Sequence, residues 1–393
     1  MTTRPLLEIL MIPYADLSEL VRLADERFRY DPRYSLSSLS DAFACRNEPD
    51  ENDSELLERI CDAYIRTVGD RRSASNIFAP TNWWRRIREK QLGPVIQALR
   101  TRDVDSLRRM YRNFFRDPCS TGLVGLPVDM QRCYFSGEID ALHGHFFLSD
   151  ALHRLDLWRA WTKGRFPVDV LASPAIGNPY GVWVDGVFIR IAADYQHFYA
   201  QQIADLLGPQ TGGTVLEIGG GFGGMAYYLL RDNPGVRYIN FDVPETIALA
   251  SYYLLKCFPA LTATLYGEAE LTADLVNKSD IILMPSFQFG ELSGVSADVS
   301  FGSHVLADLG PEAAYKYTDQ LAKTTRKHVL LLDLAEPDPP ASVCLLEESN
   351  KFNLARKRAT FWHSARALRS NQVEWLYTAS KVLNEARRTD GGQ

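Results

Sequence analysis

The ten residues from Val215 to Gly224, Val-Leu-Glu-Ile-Gly-Gly-Gly-Phe-Gly-Gly, constrain this chain more than any others. A short apolar run at 214–218 meets glycines without a spacer, and the residues that follow, to 232, carry helical spacing. A strand that turns through glycine into a helix lets the backbone approach a ligand closely, with the N–H groups of the helix start directed at it. The pattern predicts an α/β fold with a nucleoside-like ligand at the turn. The chain beyond agrees: 236–242, 261–267, 280–286 and 328–334 read as further strands, with helices over 244–258 and from about Pro311. Apolar strands separated by helices indicate a mostly parallel sheet covered on both faces, with ligands beyond the carboxyl ends of its strands.

Upstream of residue 170 the texture is different. Segments 13–28, 53–68, 82–103 and 104–115 place apolar residues three and four apart, as amphipathic helices do. Residues 117–144 are punctuated by Pro118, Gly122, Gly125 and Pro127 and read as irregular. We therefore expect a helical cap over 1–170, serving substrate binding or oligomerisation, a ligand-binding domain over 171–385, and a flexible tail over 386–393. Asp185-Gly186 between two alternating runs predicts a hairpin within 177–191. With the helix 194–207, closed by Gly208, this hairpin leads into the second domain. Trp83 and Trp84 beside Arg85, Arg86 and Arg88 read as core tryptophans on a helix whose other face is solvated.

Composition excludes several classes. With 43 Lys+Arg against 49 Asp+Glu over 393 residues, the net charge is −6, and no long basic block offers phosphate neutralisation, so no nucleic acid partner is expected. The six cysteines form no CxxC pair, which signals neither a disulfide framework nor a zinc site. No run approaches the roughly 18 apolar residues of a membrane span. The expectation is a cytoplasmic protein with no membrane association. A homo-oligomer stays open.

The glycine turn has two readings. As Gly219-x-Gly221-x-x-Gly224 it fits the dinucleotide fingerprint of NAD(P)-dependent oxidoreductases. As Glu217-x-Gly219-x-Gly221-x-Gly223 it fits the first motif of class I S-adenosylmethionine (SAM) methyltransferases. Three features favour SAM. Glu217 would set a carboxylate beside an ammonium or sulfonium, and would repel a pyrophosphate. Asp242, at the end of the next strand, is placed to accept hydrogen bonds from ribose hydroxyls, although NAD enzymes share that feature. The turn also lies late in the chain, behind the helical region. A third reading, a non-catalytic module retaining the fold, is disfavoured by the intact Glu217, glycines and Asp242.

Residues GNPYGVWVDG, DYQHFYAQQI, VLEIGGGFGG and INFDVPETIALASYYL, together with NWWRRI and NFFRDPCSTGL upstream, resemble a family of sugar O-methyltransferases found in bacterial secondary-metabolite and polysaccharide gene clusters. The resemblance covers most of residues 80–335. It implies a class I methyltransferase, with a Rossmann-like, mostly parallel sheet behind an N-terminal helical cap, SAM as donor and a sugar hydroxyl as acceptor. Carried over by residue, Glu217, Gly219, Gly220, Gly221 and Gly223 form the SAM turn and Asp242 holds the ribose. Glu268, after the third strand, falls where such enzymes often keep an acid near adenine, and Ser286, ending the fourth, joins the cofactor candidates. After the fourth strand the family tends to carry Ser-Phe-x-Glu-Met, whereas this chain reads from Phe301 to Gly310 as Phe-Gly-Ser-His-Val-Leu-Ala-Asp-Leu-Gly, so no catalytic residue is carried over there.

Methyl transfer to a sugar hydroxyl needs a base for the hydroxyl proton, and histidine suits neutral pH. His304 lies beyond the fourth strand, with Asp308 one helical turn later to orient it, and the two are the catalytic candidates. His197, His143 and His145 are substrate-binding candidates. His143 and His145, two apart, would also suit half of a metal site. A divalent metal is left unresolved, with Asp298, Asp308, Glu312 and Asp333 as oxygen donors near the expected edge.

Overall fold

The computed structural model describes residues 14–46, 52–71, 77, 82–124, 139–209, 212–306, 309, 311–334, 346–360, 372–380 and 382. Asp308 and the expected tail at 386–393 lie outside the described residues. The chain divides into two compact units. Within the described residues, the first holds those up to Ser54 and those from Arg85 to Phe198. The second holds those from Glu55 to Trp84, from Tyr199 to Thr360, and from Gln372 onward. This division is not a single cut near 170.

The first unit is built largely from helices, among them Tyr14–Phe28, Gly93–Thr101, Val104–Tyr111 and Ala141–Trp161. Helix Tyr14–Phe28 packs on Ala141–Trp161 through Ala24, Phe28 and Leu152. The segment 82–103, read as one helix, is two, Asn82–Lys90 and Gly93–Thr101, because Gly93 and Pro94 start a new one. The hairpin pairs β1 (Gly181–Val184) with β2 (Val187–Arg190). Asp185 and Gly186 both take left-handed angles, φ 52° and 77°, as a two-residue turn of this hand requires.

The second unit contains an eight-stranded sheet. Its strands are β3 (Gly213–Ile218), β4 (Val236–Asp242), β5 (Ala263–Leu265), β6 (Ile281–Pro285), β7 (Ala297–Ser303), β8 (Thr325–Leu334), β9 (Phe352–Ala359) and β10 (Gln372–Ala379). They lie in the order β5-β6-β4-β3-β7-β8-β10-β9. Strands β3 to β8 are parallel, and β10 runs antiparallel to both β8 and β9. The chain winds from β3 outward to β4 and later returns to β7 on the other side, so the switch point lies between β3 and β7. One face buries Leu216, Ile218, Ile239, Phe241, Ile282 and Met284 together with Leu321 and Trp375.

Strand β7 is absent from the sequence reading, which passes from 280–286 directly to 328–334. Asp298, Ser300 and Ser303 break its apolar run. Partners supplied by neighbours make those polar groups tolerable in a buried strand. Asp298 accepts from the Thr214 amide (3.0 Å) and pairs with Arg326 (3.0 Å), and the Ser300 and Thr325 hydroxyls share a 2.6 Å hydrogen bond. The same strand moves Asp298 to the amino edge of the sheet, where two basic side chains and a backbone amide hold its carboxylate. Asp298 is therefore withdrawn as a donor at the ligand edge.

Candidate active site

The glycine turn is rooted in the sheet by its own amides. Gly219 N–H donates to the Phe241 carbonyl (2.8 Å), Gly220 N–H to Asn240 Oδ1 (3.1 Å), Gly221 N–H to Asp242 Oδ2 (3.0 Å), and Gly223 N–H to the Gly220 carbonyl (3.1 Å). Gly219, Gly221 and Gly223 take φ of 73°, 58° and 90°, a path that side chains with a Cβ rarely follow. These four amides are spent inside the protein, and the group that takes the Gly221 amide is the Asp242 carboxylate. A carboxylate at that place suits a cationic ligand.

Glu217 lies beneath this turn, 3% exposed, its Oε2 accepting from the Tyr238 hydroxyl at 2.5 Å. Burial pushes its pKa up to about 8, against the pull of that hydrogen bond, and the nearby Asp242 adds to the rise. Asp242 keeps part of its surface open to solvent, yet the protein around it raises its pKa to about 7, while amide bonds from Val243 and Gly221 oppose the shift. Two carboxyls that give up their protons only near or above neutrality, next to each other, form a seat that a positive charge would ionise. The residues present therefore fit SAM, with Asp242 at the turn itself and Glu217 as its buried support.

Across the switch point, β7 ends at Ser303, and His304 follows in a left-handed conformation, φ 57°. Such a backbone costs a non-glycine residue roughly 1–2 kcal/mol and is held here by the surroundings. His304 N–H donates to the Leu332 carbonyl at 2.8 Å. Its Nε2 lies 2.7 Å from the amide nitrogen of Gln372, and its Nδ1 3.9 Å from Asp333 Oδ1. Burial lowers the pKa of the ring, to about 4; the third of the side chain still open to water tempers that fall. Val305, next along, sits where a Cβ on Gly219 would have to go. With strands roughly 4.8 Å apart, His304 stands about 10 Å across the sheet from Asp242, the span of a small ligand's reacting end.

Of the other candidates, Ser286 follows β6, the immediate neighbour of β4, and is buried. Glu268 follows β5, at the sheet's edge, because β6 inserts between β4 and β5. Both its oxygens are taken by Arg59 (2.6 and 2.8 Å), and Oε2 also accepts from the Leu265 amide. Burial would raise the Glu268 pKa, but Arg59 outweighs it and the net direction is down. The strand beside β4 is thus β6, which Ser286 follows, and not β5, after which Glu268 was expected near adenine. Glu312 lies in the first turn of helix Pro311–Thr324 and is exposed. Asp333, near the carboxyl end of β8, is the described carboxylate beside His304, the role the sequence reading gave to Asp308.

The histidines of the first unit take other places. His197 is 1% exposed, accepts from Trp158 Nε1 (3.1 Å), and packs edge-on to Trp158 and Phe166. His143 bonds Asp140, the cap of its own helix (2.8 Å), whereas His145 faces Asp25 (3.3 Å) and Tyr34. Two residues apart on one helix they point to different sides, so they do not form half of a metal site. Among the described residues, no three His, Cys, Asp or Glu side chains cluster as a metal site. No helix among them is long and apolar enough to cross a membrane.

Sequence reading missed Tyr238 and Asn240, which brace the turn from the next strand, and Gln372, which reaches His304 from β10. The pattern Tyr238-x-Asn240-x-Asp242, which sets polar groups on one face of the strand, was a usable signal for the first two.

A mostly parallel sheet wound both ways from a glycine turn, with Glu217 next to last in its first strand and Asp242 ending the second, is a Rossmann-like α/β fold. No protein-family profile matches the chain, and no curated protein does. Solved structures to which it is similar include magnesium protoporphyrin IX methyltransferase from Synechocystis PCC 6803 with bound SAM, at 16% identity over 47% of this chain and 80% of that one, TM-score 0.34. Mitomycin 7-O-methyltransferase is similar at 17% identity over 48% of this chain and 55% of that one, TM-score 0.32. A glycopeptide N-methyltransferase is similar at 14% identity over 46% and 89%, TM-score 0.33. The match thus spans about half of the mitomycin enzyme's length.

Proposed function

We propose that this protein is a SAM-dependent O-methyltransferase acting on a hydroxyl of a sugar or glycosylated small molecule, in natural-product or polysaccharide biosynthesis. The observation that carries the reading is the pairing, across one switch point, of a carboxyl-lined glycine turn with a histidine held at the neighbouring strand end. Bound SAM supplies an electrophilic methyl group. Gly219 to Gly223 and Asp242 hold the donor, and Glu217 answers its positive charge from below. His304 stays neutral at physiological pH and takes the proton of the acceptor hydroxyl, while Asp333 stabilises the imidazolium that results. The rest of the rate comes from alignment of the acceptor oxygen. The sugar acceptor rests on the sequence resemblance over residues 80–335.

The test is His304→Ala, assayed by transfer of labelled methyl from SAM to a panel of free sugars and glycosides. Turnover should fall about 10²–10⁴-fold, with S-adenosylhomocysteine (SAH) binding by calorimetry unchanged. Undiminished turnover removes His304 from the chemistry, and absence of any heat with SAM or SAH overturns the whole reading.

A further inference from the structure

Gln372 opens β10 at the carboxyl edge of the sheet, 1% exposed, with its amide between two partners. On one side the Thr360 hydroxyl donates to Oε1 at 2.6 Å; on the other Nε2 stands 2.7 Å from His304 Nε2. Thr360 is fully buried and its backbone N–H donates to the Gln372 carbonyl at 2.9 Å, which keeps the two side chains facing each other. An amide nitrogen carries only donors, and therefore His304 Nε2 must present a lone pair to it. The ring proton then resides on Nδ1, the nitrogen that faces Asp333 Oδ1 at 3.9 Å. In this arrangement Nδ1 is a donor and the ring's acceptor is already occupied, so His304 cannot receive a proton.

We infer that Gln372 is the positioning residue that sets the tautomer of His304, and that turning its amide makes the histidine a base. After a half-turn about the last side-chain bond, Oε1 accepts from His304 Nε2–H, and the amide nitrogen donates to Thr360 Oγ, which accepts as readily as it donates. Both hydrogen bonds survive, no charge is created, and the ring proton has moved from Nδ1 to Nε2. Nδ1 now holds a lone pair beside the ligand edge, with Asp333 near enough to favour the protonated ring. The first orientation, with Thr360 donating to Oε1 and Nδ1–H facing Asp333, is the resting one. Asp333 is the titratable group that faces the ring among the described residues; Gln372 and Thr360 are uncharged. The inference rests on the reading of His304 as the base.

The test is ¹⁵N NMR of histidine-labelled protein without added donor, comparing wild type, Gln372→Glu and Thr360→Val at pH 7. Wild type should show His304 mainly protonated at Nδ1. Gln372→Glu can only accept at that position, so the Nε2–H form should take over, and the opposite charge should raise the pKa of His304 by about one unit or more. The acid limb of kcat/KM should move up in step, with KM for SAM unchanged. Thr360→Val frees the amide, and the Nδ1–H fraction should fall; that variant carries the test where Gln372→Glu fails to fold. The same tautomer in all three proteins overturns the inference. The NMR readout needs no turnover, so undiminished turnover in His304→Ala together with an inverted tautomer in Gln372→Glu would sink the proposed function alone.

Discussion

Gly220 shows how little room the turn leaves. A Cβ there would stand 2.6 Å from the Tyr238 hydroxyl and 2.8 Å from Asn240 Nδ2, and both side chains are fully buried. Neither can retreat, since Tyr238 is bonded to Glu217 and Asn240 to Gly220 itself. Gly220→Ala should therefore lift the turn from its support and weaken SAH binding by about tenfold or more, roughly 1.4 kcal/mol, in calorimetry. An unchanged dissociation constant would place the ligand elsewhere. Unlike Gly219, Gly220 has no left-handed angle, so this effect isolates the steric contact from backbone strain.

Helix Ser54–Asp70 and strand β5 depend on each other. Arg59 grips both oxygens of Glu268 and the Ala263 carbonyl, Arg66 reaches the Gly267 carbonyl, and the Tyr266 hydroxyl donates to Asp70. A three-residue strand at the end of a sheet is exposed to unwanted pairing, and the helix covers it with charge and bulk. The Arg59–Glu268 pair is about a third exposed on each side, so water screens it, and its loss should cost only ~1 kcal/mol. Glu268→Gln is expected to lower the melting temperature slightly and leave SAH affinity within about twofold. A tenfold loss of affinity would restore Glu268 to the adenine site, so this variant separates an edge clamp from a cofactor ligand.

Over the whole molecule, Glu217 and Asp242 couple folding to pH. Their folded-state pKa values, about 8 and about 7, lie above the ordinary 4.5 and 3.8, so the folded chain holds protons that the unfolded chain releases. Their contribution is fully present below about pH 4 and is lost as pH rises through 7 to 8. Melting temperature should accordingly decline from pH 6 to 8.5, and Glu217→Gln should flatten that decline; an equal slope in the variant would show that Glu217 ionises normally. Much of this architecture was legible beforehand. The glycine turn, β4 with its terminal Asp242, the Asp185-Gly186 hairpin and the helix after Pro244 are each written in consecutive residues, because period, turn chemistry and capping act within a few positions along the chain. The neighbours of those elements are not written that way. β7 was hidden by polar residues whose partners, Thr214, Arg326 and Thr325, lie far away in sequence. The insertion of β6 beside β4 puts Ser286, and not Glu268, next to Asp242. His304 meets Asp333 and Gln372 through three strands that only sheet order makes adjacent. Local spacing carries no information about which strand edges pair, since that choice is settled by burying every strand's face at once.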